Sequence, residues 1–211
     1  MAKVLITGSN GQLGSEIKQI AGKFPELEFA FTDVAELDIT NPDKVSAFFE
    51  VFRPEFLVNC AAYTAVDKAE TDLETATLLN ATAVGILASE AAKVKSKVIH
   101  VSTDYVFDGK GPRPYKEDNM VDPQSAYGRT KLDGEIQCLR NNNASMVIRT
   151  SWLYSAFGNN FVKTMLRLGN ERAEIGVIAD QIGSPTNAAD LALAILTIIS
   201  SDVSRTKSFI P

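Results

Sequence analysis

The chain has 211 residues, enough for one substantial domain with at most a small appendage. Its 45% hydrophobic and 22% charged residues are those of an ordinary soluble globular protein, and a net charge of −5 offers no basic field for nucleic acid or an anionic membrane. No apolar run reaches the ~20 residues that span a bilayer.

Met1-Ala2-Lys3 leads straight into a strand-like stretch without the regions of a signal peptide. Cys60 and Cys138 stand far apart and form no metal-ligand spacing, so no metal site is expected from them and a reducing cytoplasm is the expected compartment. Lys3 to Thr7 (K-V-L-I-T) is a β-branched run that predicts a buried strand. It ends in G-S-N-G-Q-L-G, with Gly8, Gly11 and Gly14 spaced by threes around Gln12 and Leu13, and a helical pattern follows over Ser15 to Ala21. Such a turn between strand and helix lets backbone approach a pyrophosphate and meets its charge with a helix N-terminus.

Leu27 to Thr32 predicts the second strand, and Asp33 follows it nineteen positions beyond Gly14, about where a dinucleotide fold places the carboxylate for the adenosine ribose. Asp38 and Ile39 are candidates for an adenine pocket, with a capping acid and a buried Ile as the plain alternative; Asn41-Pro42 opens the next helix, Asp43 to Phe52. A third strand, Phe56 to Cys60, ends in small residues, Ala61 and Ala62, at the sheet edge where ligands bind in open α/β folds. The periodicity predicts one helical region over Thr71 to Ala92, in which Asn80 is either a polar hinge to the site or an exposed position. Lys97 to Val101 is the fourth strand; it carries His100, the chain's one histidine, read as a core residue rather than a catalyst.

Asp108 to Gln124 has the glycines and prolines of a surface excursion. The helix after it places Tyr127 and Lys131 one turn apart on one face. A nearby ammonium lowers a phenol's pKa toward the range useful for proton transfer, and Thr103, just past the fourth strand, offers a hydroxyl to the same substrate oxygen. A fifth strand follows at Ala144 to Thr150. Then come a helix opening near Gly158 to Phe161, a rigid turn at 180–186, a last helix over Ala188 to Ile199 and an ending at Ser208 to Pro211 that looks like an interruption. The alternation predicts an α/β fold, a doubly wound parallel sheet of Rossmann type, in a single NAD(P)-binding domain over 1–211.

Together Gly8-x-x-Gly11-x-x-Gly14, Thr103 and Tyr127-x-x-x-Lys131 resemble the extended short-chain dehydrogenase/reductases. The narrower resemblance is to the dTDP-4-dehydrorhamnose reductases, through A-A-Y-T-A-V-D-K-A-E (61–70), V-S-T-D-Y-V-F-D-G (101–109), Y-G-R-T-K (127–131), R-T-S-W-L-Y (149–154), N-N-F-V-K-T-M-L-R (159–167) and D-Q-I-G-S-P-T (180–186). That resemblance implies NADPH- or NADH-dependent reduction of the C4 ketone of a dTDP-6-deoxy-hexulose, with Tyr127 as proton donor, Lys131 on the nicotinamide ribose, Thr103 and Asp104 at the sugar and Trp152 as an apolar wall. It also implies cofactor contacts at Gly11, Gln12, Leu13, Asp33, Asp38, Ile39, Ala62, Tyr63 and Thr64, and a substrate side drawn from 152–187. Family members carry a further C-terminal portion that completes the sugar pocket, so that part is expected to be incomplete here; the resemblance also allows a homodimer with magnesium at its interface. Thr103-Asp104-Tyr105 replaces the Thr-Asp-Glu of sugar-nucleotide dehydratases and disfavours water loss. A cofactor-binding regulatory subunit and a C4 epimerase remain as alternatives.

Overall fold

The computed structural model describes residues 1–208. Five parallel strands, β1 (Ala2–Thr7), β2 (Leu27–Thr32), β3 (Phe56–Asn59), β4 (Lys97–Thr103) and β5 (Ser145–Thr150), form one sheet in the order β2-β1-β3-β4-β5. Alternation along each strand sends side chains to opposite faces. Val4, Ile6, Val58 and Ile99 therefore pack on one side, against Leu13 and Ile17 of α1 (Gln12–Ile20) and Ile195, Leu196 and Ile199 of α7 (Ala188–Ser208). Leu5, Leu57 and Val98 pack on the other, against Val45 and Phe49 of α2 (Pro42–Phe52), Val84 and Leu87 of α4 (Ala83–Lys93) and Cys138 of α5 (Ala126–Asn141). Each fully buried aliphatic or aromatic side chain in these layers contributes about 1.5–3 kcal/mol of transfer free energy. The doubly wound Rossmann-type sheet expected from the alternation is the one observed.

Local chemistry sets the helix starts. The Asn41 side chain accepts from Lys44 N at 3.1 Å with Pro42 in the first turn, and Ser125 Oγ accepts from Gly128 N at 3.1 Å to open α5. Gly8 has φ +65°, and a Cβ there would lie 2.6 Å from Ala61 N, so only glycine lets β1 and β3 close together at the point where strand order reverses.

Two expectations about helices change. The region predicted as one helix is α3 (Leu73–Thr77), a π turn over Leu78–Thr82 and then α4. The widened turn turns Asn80 inward, where it is fully buried. The last helix runs to Ser208 rather than Ile199, and Lys97 pairs with Asp202 on this extension. The expected interruption at the chain end falls on 209–211, outside the described residues. A two-stranded parallel pair, β6 (Leu153–Tyr154) and β7 (Thr186–Asn187), and α6 (Phe161–Glu171) lie beyond β5.

Candidate active site

A cleft of about 320 Å³ opens at the carboxyl ends of β1, β2 and β3. Gly8, Gly11, Asp33, Asp38, Ile39 and Ala62 line it, together with Val34, Leu37, Cys60, Ala61 and Leu79. Gly11 N donates to the Gly8 carbonyl at 3.1 Å, which closes the turn, and Gly11 precedes the first residue of α1. Asp33 is fixed at this mouth: its Oδ2 accepts from Asn10 N at 3.0 Å and its Oδ1 from Val34 N at 2.8 Å. Thr40 N and Oγ1 donate to Asp38 Oδ1 at 3.0 and 2.6 Å and hold that carboxyl below the usual carboxylate range. Among the described residues that line the cleft, the charged groups are these two carboxylates. A turn that only glycine can make, open amides at a helix start and a carboxylate at the end of β2 fit a dinucleotide.

Several expected cofactor residues take other places. Leu13 is buried in the core, so only its backbone faces the turn. The Gln12 side chain accepts from Asn160 Nδ2 at 3.0 Å. Thr64 is exposed, and the Tyr63 hydroxyl donates to Asp72 Oδ2 at 3.0 Å. Tyr63 is tied to the site through its backbone. Asn80 Oδ1 accepts from Tyr63 N at 2.8 Å, and Asn80 Nδ2 donates to Tyr63 O and to Thr130 Oγ1, each at 3.1 Å. Thr130 in turn donates to the Tyr127 carbonyl at 2.9 Å. Asn80 thus joins the Ala62–Thr64 segment to the turn of α5 between Tyr127 and Lys131, and α5 comes so near that a Cβ on Gly134 would overlap the Asn80 carbonyl. Periodicity alone left this residue undecided; the polar Asn in an apolar stripe was the available signal.

The chemistry-bearing residues meet at the end of β4. Thr103 Oγ1 donates to Asp104 Oδ1 at 3.2 Å and stands near the Tyr127 phenol, whose ionised form its hydroxyl favours. The Tyr105 ring meets the Tyr127 ring edge-on, centroids 5.5 Å apart. Burial pushes the Tyr127 phenol up to about 12, opposed by the Thr103 hydroxyl and reinforced by Asp104 and Tyr105. Burial likewise raises the Asp104 carboxyl above its ordinary value.

Lys131 lies deeper than the spacing suggested: Nζ donates to the Val101 carbonyl at 2.8 Å, and the residue is 2% exposed. Burial drives the ammonium down to about 8, with Glu135 as the main opposing charge. The Thr103 hydroxyl favours the phenolate.

Behind these groups the strand ends form a buried polar layer. Asn59 Oδ1 accepts from Thr7 Oγ1 at 2.7 Å and from Ala61 N at 3.2 Å, which turns its amide nitrogen to His100 Nδ1 at 3.1 Å. His100 is therefore neutral with its proton on Nε2, and desolvation keeps its pKa well below the ordinary value. Next to it Ser102 Oγ donates to Glu135 Oε1 at 2.5 Å, and Arg149 Nε and Nη2 grip Glu135 at 2.9 and 2.7 Å. The same guanidinium lies 5.0 Å from the Phe107 ring, which stacks on Tyr115, and so pins the excursion after β4.

Trp152 holds a left-handed backbone, φ +46°, with its indole 44% exposed against Gly183. Such a conformation costs a bulky residue on the order of 1–3 kcal/mol and concentrates at ligand sites. The Ser151 hydroxyl donates to Ser184 O at 2.7 Å and Thr186 N to Trp152 O at 3.3 Å, which keeps the 180–186 turn beside it. Among the described residues no group of three or more His, Cys, Asp or Glu could hold a metal ion, and no helix is long and apolar enough to cross a membrane.

The model of the RmlD substrate binding domain family matches residues 2–209. A dTDP-4-dehydrorhamnose reductase of Aggregatibacter actinomycetemcomitans is 44% identical over 198 residues, which cover 94% of this chain and 67% of that protein. The crystal structure of a dTDP-4-dehydrorhamnose reductase from Clostridium acetobutylicum superposes with a TM-score of 0.90 at 48% identity, over 94% of this chain and 70% of its own. The Bacillus anthracis enzyme, solved in complex with NADP, gives 0.91 at 44% identity, over 94% and 71%. The chain thus spans about two thirds of the length of these relatives. Since the match runs from the glycine turn through the hydroxyl cluster to the last helix, this chain belongs to the RmlD substrate binding domain family.

Proposed function

We propose that this chain reduces the C4 ketone of dTDP-4-dehydro-L-rhamnose to dTDP-L-rhamnose. The observation that carries the reading is the placement of the Thr103 and Tyr127 hydroxyls together at the end of β4, beside the cleft and over a buried lysine. Gly8, Gly11 and the backbone of Gln12 and Leu13 would hold the dinucleotide phosphates, Asp33 the adenosine ribose, and Asp38, Ile39, Leu37 and Leu79 the adenine. The nicotinamide, when bound, supplies a hydride to C4. Thr103 orients the carbonyl oxygen by donating to it. Tyr127 delivers its hydroxyl proton to that oxygen as the C–O bond becomes single, and the phenolate regains a proton from solvent.

A phenol held at about 12 is a weak acid toward a ketone but a competent donor to an alkoxide, which is the species that demands the proton. Lys131 would donate to the nicotinamide ribose with the N–H groups it does not give to the Val101 carbonyl, and its depressed pKa makes that ammonium easier to neutralise than an ordinary lysine. Asp104 and Trp152 frame the sugar, with 152–187 as its side of the site. Asp33 and Asp38 disfavour a ribose 2′-phosphate electrostatically, while a relative 44% identical holds NADP, so both NADH and NADPH are assigned as donors. The free thiols Cys60 and Cys138 suit a reducing cytoplasm.

The test is oxidation of NADPH and of NADH at 340 nm with the dTDP-hexulose as acceptor. Wild type should turn over, and Tyr127→Phe should lose about 10²–10⁴-fold in kcat while binding either dinucleotide within a few-fold of wild type. Turnover by Tyr127→Phe at the wild-type rate would remove the tyrosine from the mechanism.

A further inference from the structure

α6 buries none of its residues fully, with Thr164, Met165 and Leu168 half-buried, and its N-terminal loop adds a set of polar ties. Asn160 caps α6 by accepting from Lys163 N at 3.0 Å, and its amide nitrogen donates to Gln12 Oε1 at 3.0 Å and to Ser155 O at 2.8 Å. Ser155 is 7% exposed; its hydroxyl donates to Glu16 Oε1 at 2.6 Å and accepts from Phe157 N at 2.8 Å. Lys163 Nζ closes the loop on the Ala156 and Gly158 carbonyls at 3.0 and 2.7 Å. Gln12 and Glu16 lie one turn apart on α1, and Glu16 is 8% exposed. Two residues of the dinucleotide helix therefore hold a segment roughly 140 positions later in the chain.

We propose that Gln12, Glu16, Ser155 and Asn160 are positioning residues that fasten the substrate-side helix to the first turn of α1, so that a bound dinucleotide steadies α6 before the sugar nucleotide arrives. This deepens, and rests on, the reading of Gly8–Gly14 as the phosphate-binding turn. The physical route is short. Phosphates on the turn's amides restrain the backbone of Gln12, and a restrained Gln12 leaves less freedom to Asn160 and the helix it caps. Ordering already supplied by one ligand lowers the cost of ordering for the next, with no change of mean structure. By linkage the effect is mutual.

The experiment is amide hydrogen exchange over 155–171 in the whole chain, with and without saturating NADPH or NADH, alongside the dissociation constant of each. The variant is Ser155→Ala with Asn160→Ser, since serine still caps α6 but cannot reach Gln12. Wild type should show exchange slowed about five-fold or more by dinucleotide, and the double variant less than about two-fold with its cofactor affinity within about three-fold of wild type. Glu16→Gln, which keeps an acceptor for Ser155, should retain the wild-type response. Dinucleotide bound to wild type with no slowing in α6, or the same slowing in the double variant, would overturn the coupling and leave the reductase reading intact. Failure of wild type to bind either dinucleotide would bring down both.

Discussion

Asn80→Ala tests the joint between the two halves of the site. The substitution deletes three hydrogen bonds, to Tyr63 N, Tyr63 O and Thr130 Oγ1, at a position with no exposure. Each is worth about 1 kcal/mol net, and the Tyr63 N–H left without a partner adds a desolvation cost, so the expected loss is about 3–4 kcal/mol. For a chain of this size that lowers Tm by about 6–16 °C. Because Tyr63 belongs to the segment bordering the cleft, dinucleotide affinity should fall as well, by about 10- to 30-fold if half of that energy is expressed at the cleft. Urea unfolding followed by circular dichroism gives the first quantity and fluorescence titration of NADPH the second. A loss below about 1 kcal/mol with unchanged cofactor affinity would show that Asn80 joins nothing that matters.

Arg149→Ala strands Glu135, whose side chain is 5% exposed, and should cost about 3–5 kcal/mol in a denaturant melt. Arg149→Met with Glu135→Leu should recover most of that, and a double variant no more stable than Arg149→Ala would contradict the account. The buried lysine makes a prediction in pH. Its folded pKa, about 8, lies below the ordinary 10.5, so between those values the unfolded chain binds more protons and stability rises with pH. The stability of wild type relative to Lys131→Met should therefore climb by up to ~3 kcal/mol from pH 8 to 10.5, and lie at its low, fully penalised level below pH 8. Tyr127 is common to both proteins, so its own titration cancels in the difference. A flat difference across that window would mean that the ammonium is solvated.

The strands were legible because a buried parallel strand has a compact signature: K-V-L-I-T, F-L-V-N and A-S-M-V-I-R-T are runs of large and branched residues between breakers. The glycine turn and the Thr103, Tyr127 and Lys131 set were legible because their chemistry demands particular residues at particular spacings. What stayed hidden depends on partners remote in sequence. Lys131 faces a carbonyl thirty positions earlier, Gln12 faces an amide well over a hundred positions later, and neither pairing leaves a mark on local periodicity. The π turn escaped for a related reason: residues 71–92 keep a helical hydrophobic pattern on both sides of it, and only the polarity of Asn80 within that pattern pointed inward.

That widened turn has a consequence for sequence length. A π turn carries one residue more than an α turn, so Leu78–Thr82 accommodates a single surplus residue without disturbing the helices on either side. Deleting any one of the other four would let the backbone anneal into uninterrupted α-helix and rotate Asn80 about 100° around the axis relative to one flank or the other. Outside Asn80 itself, the half-exposed positions of the stretch thus tolerate substitution far better than the stretch tolerates a change in length.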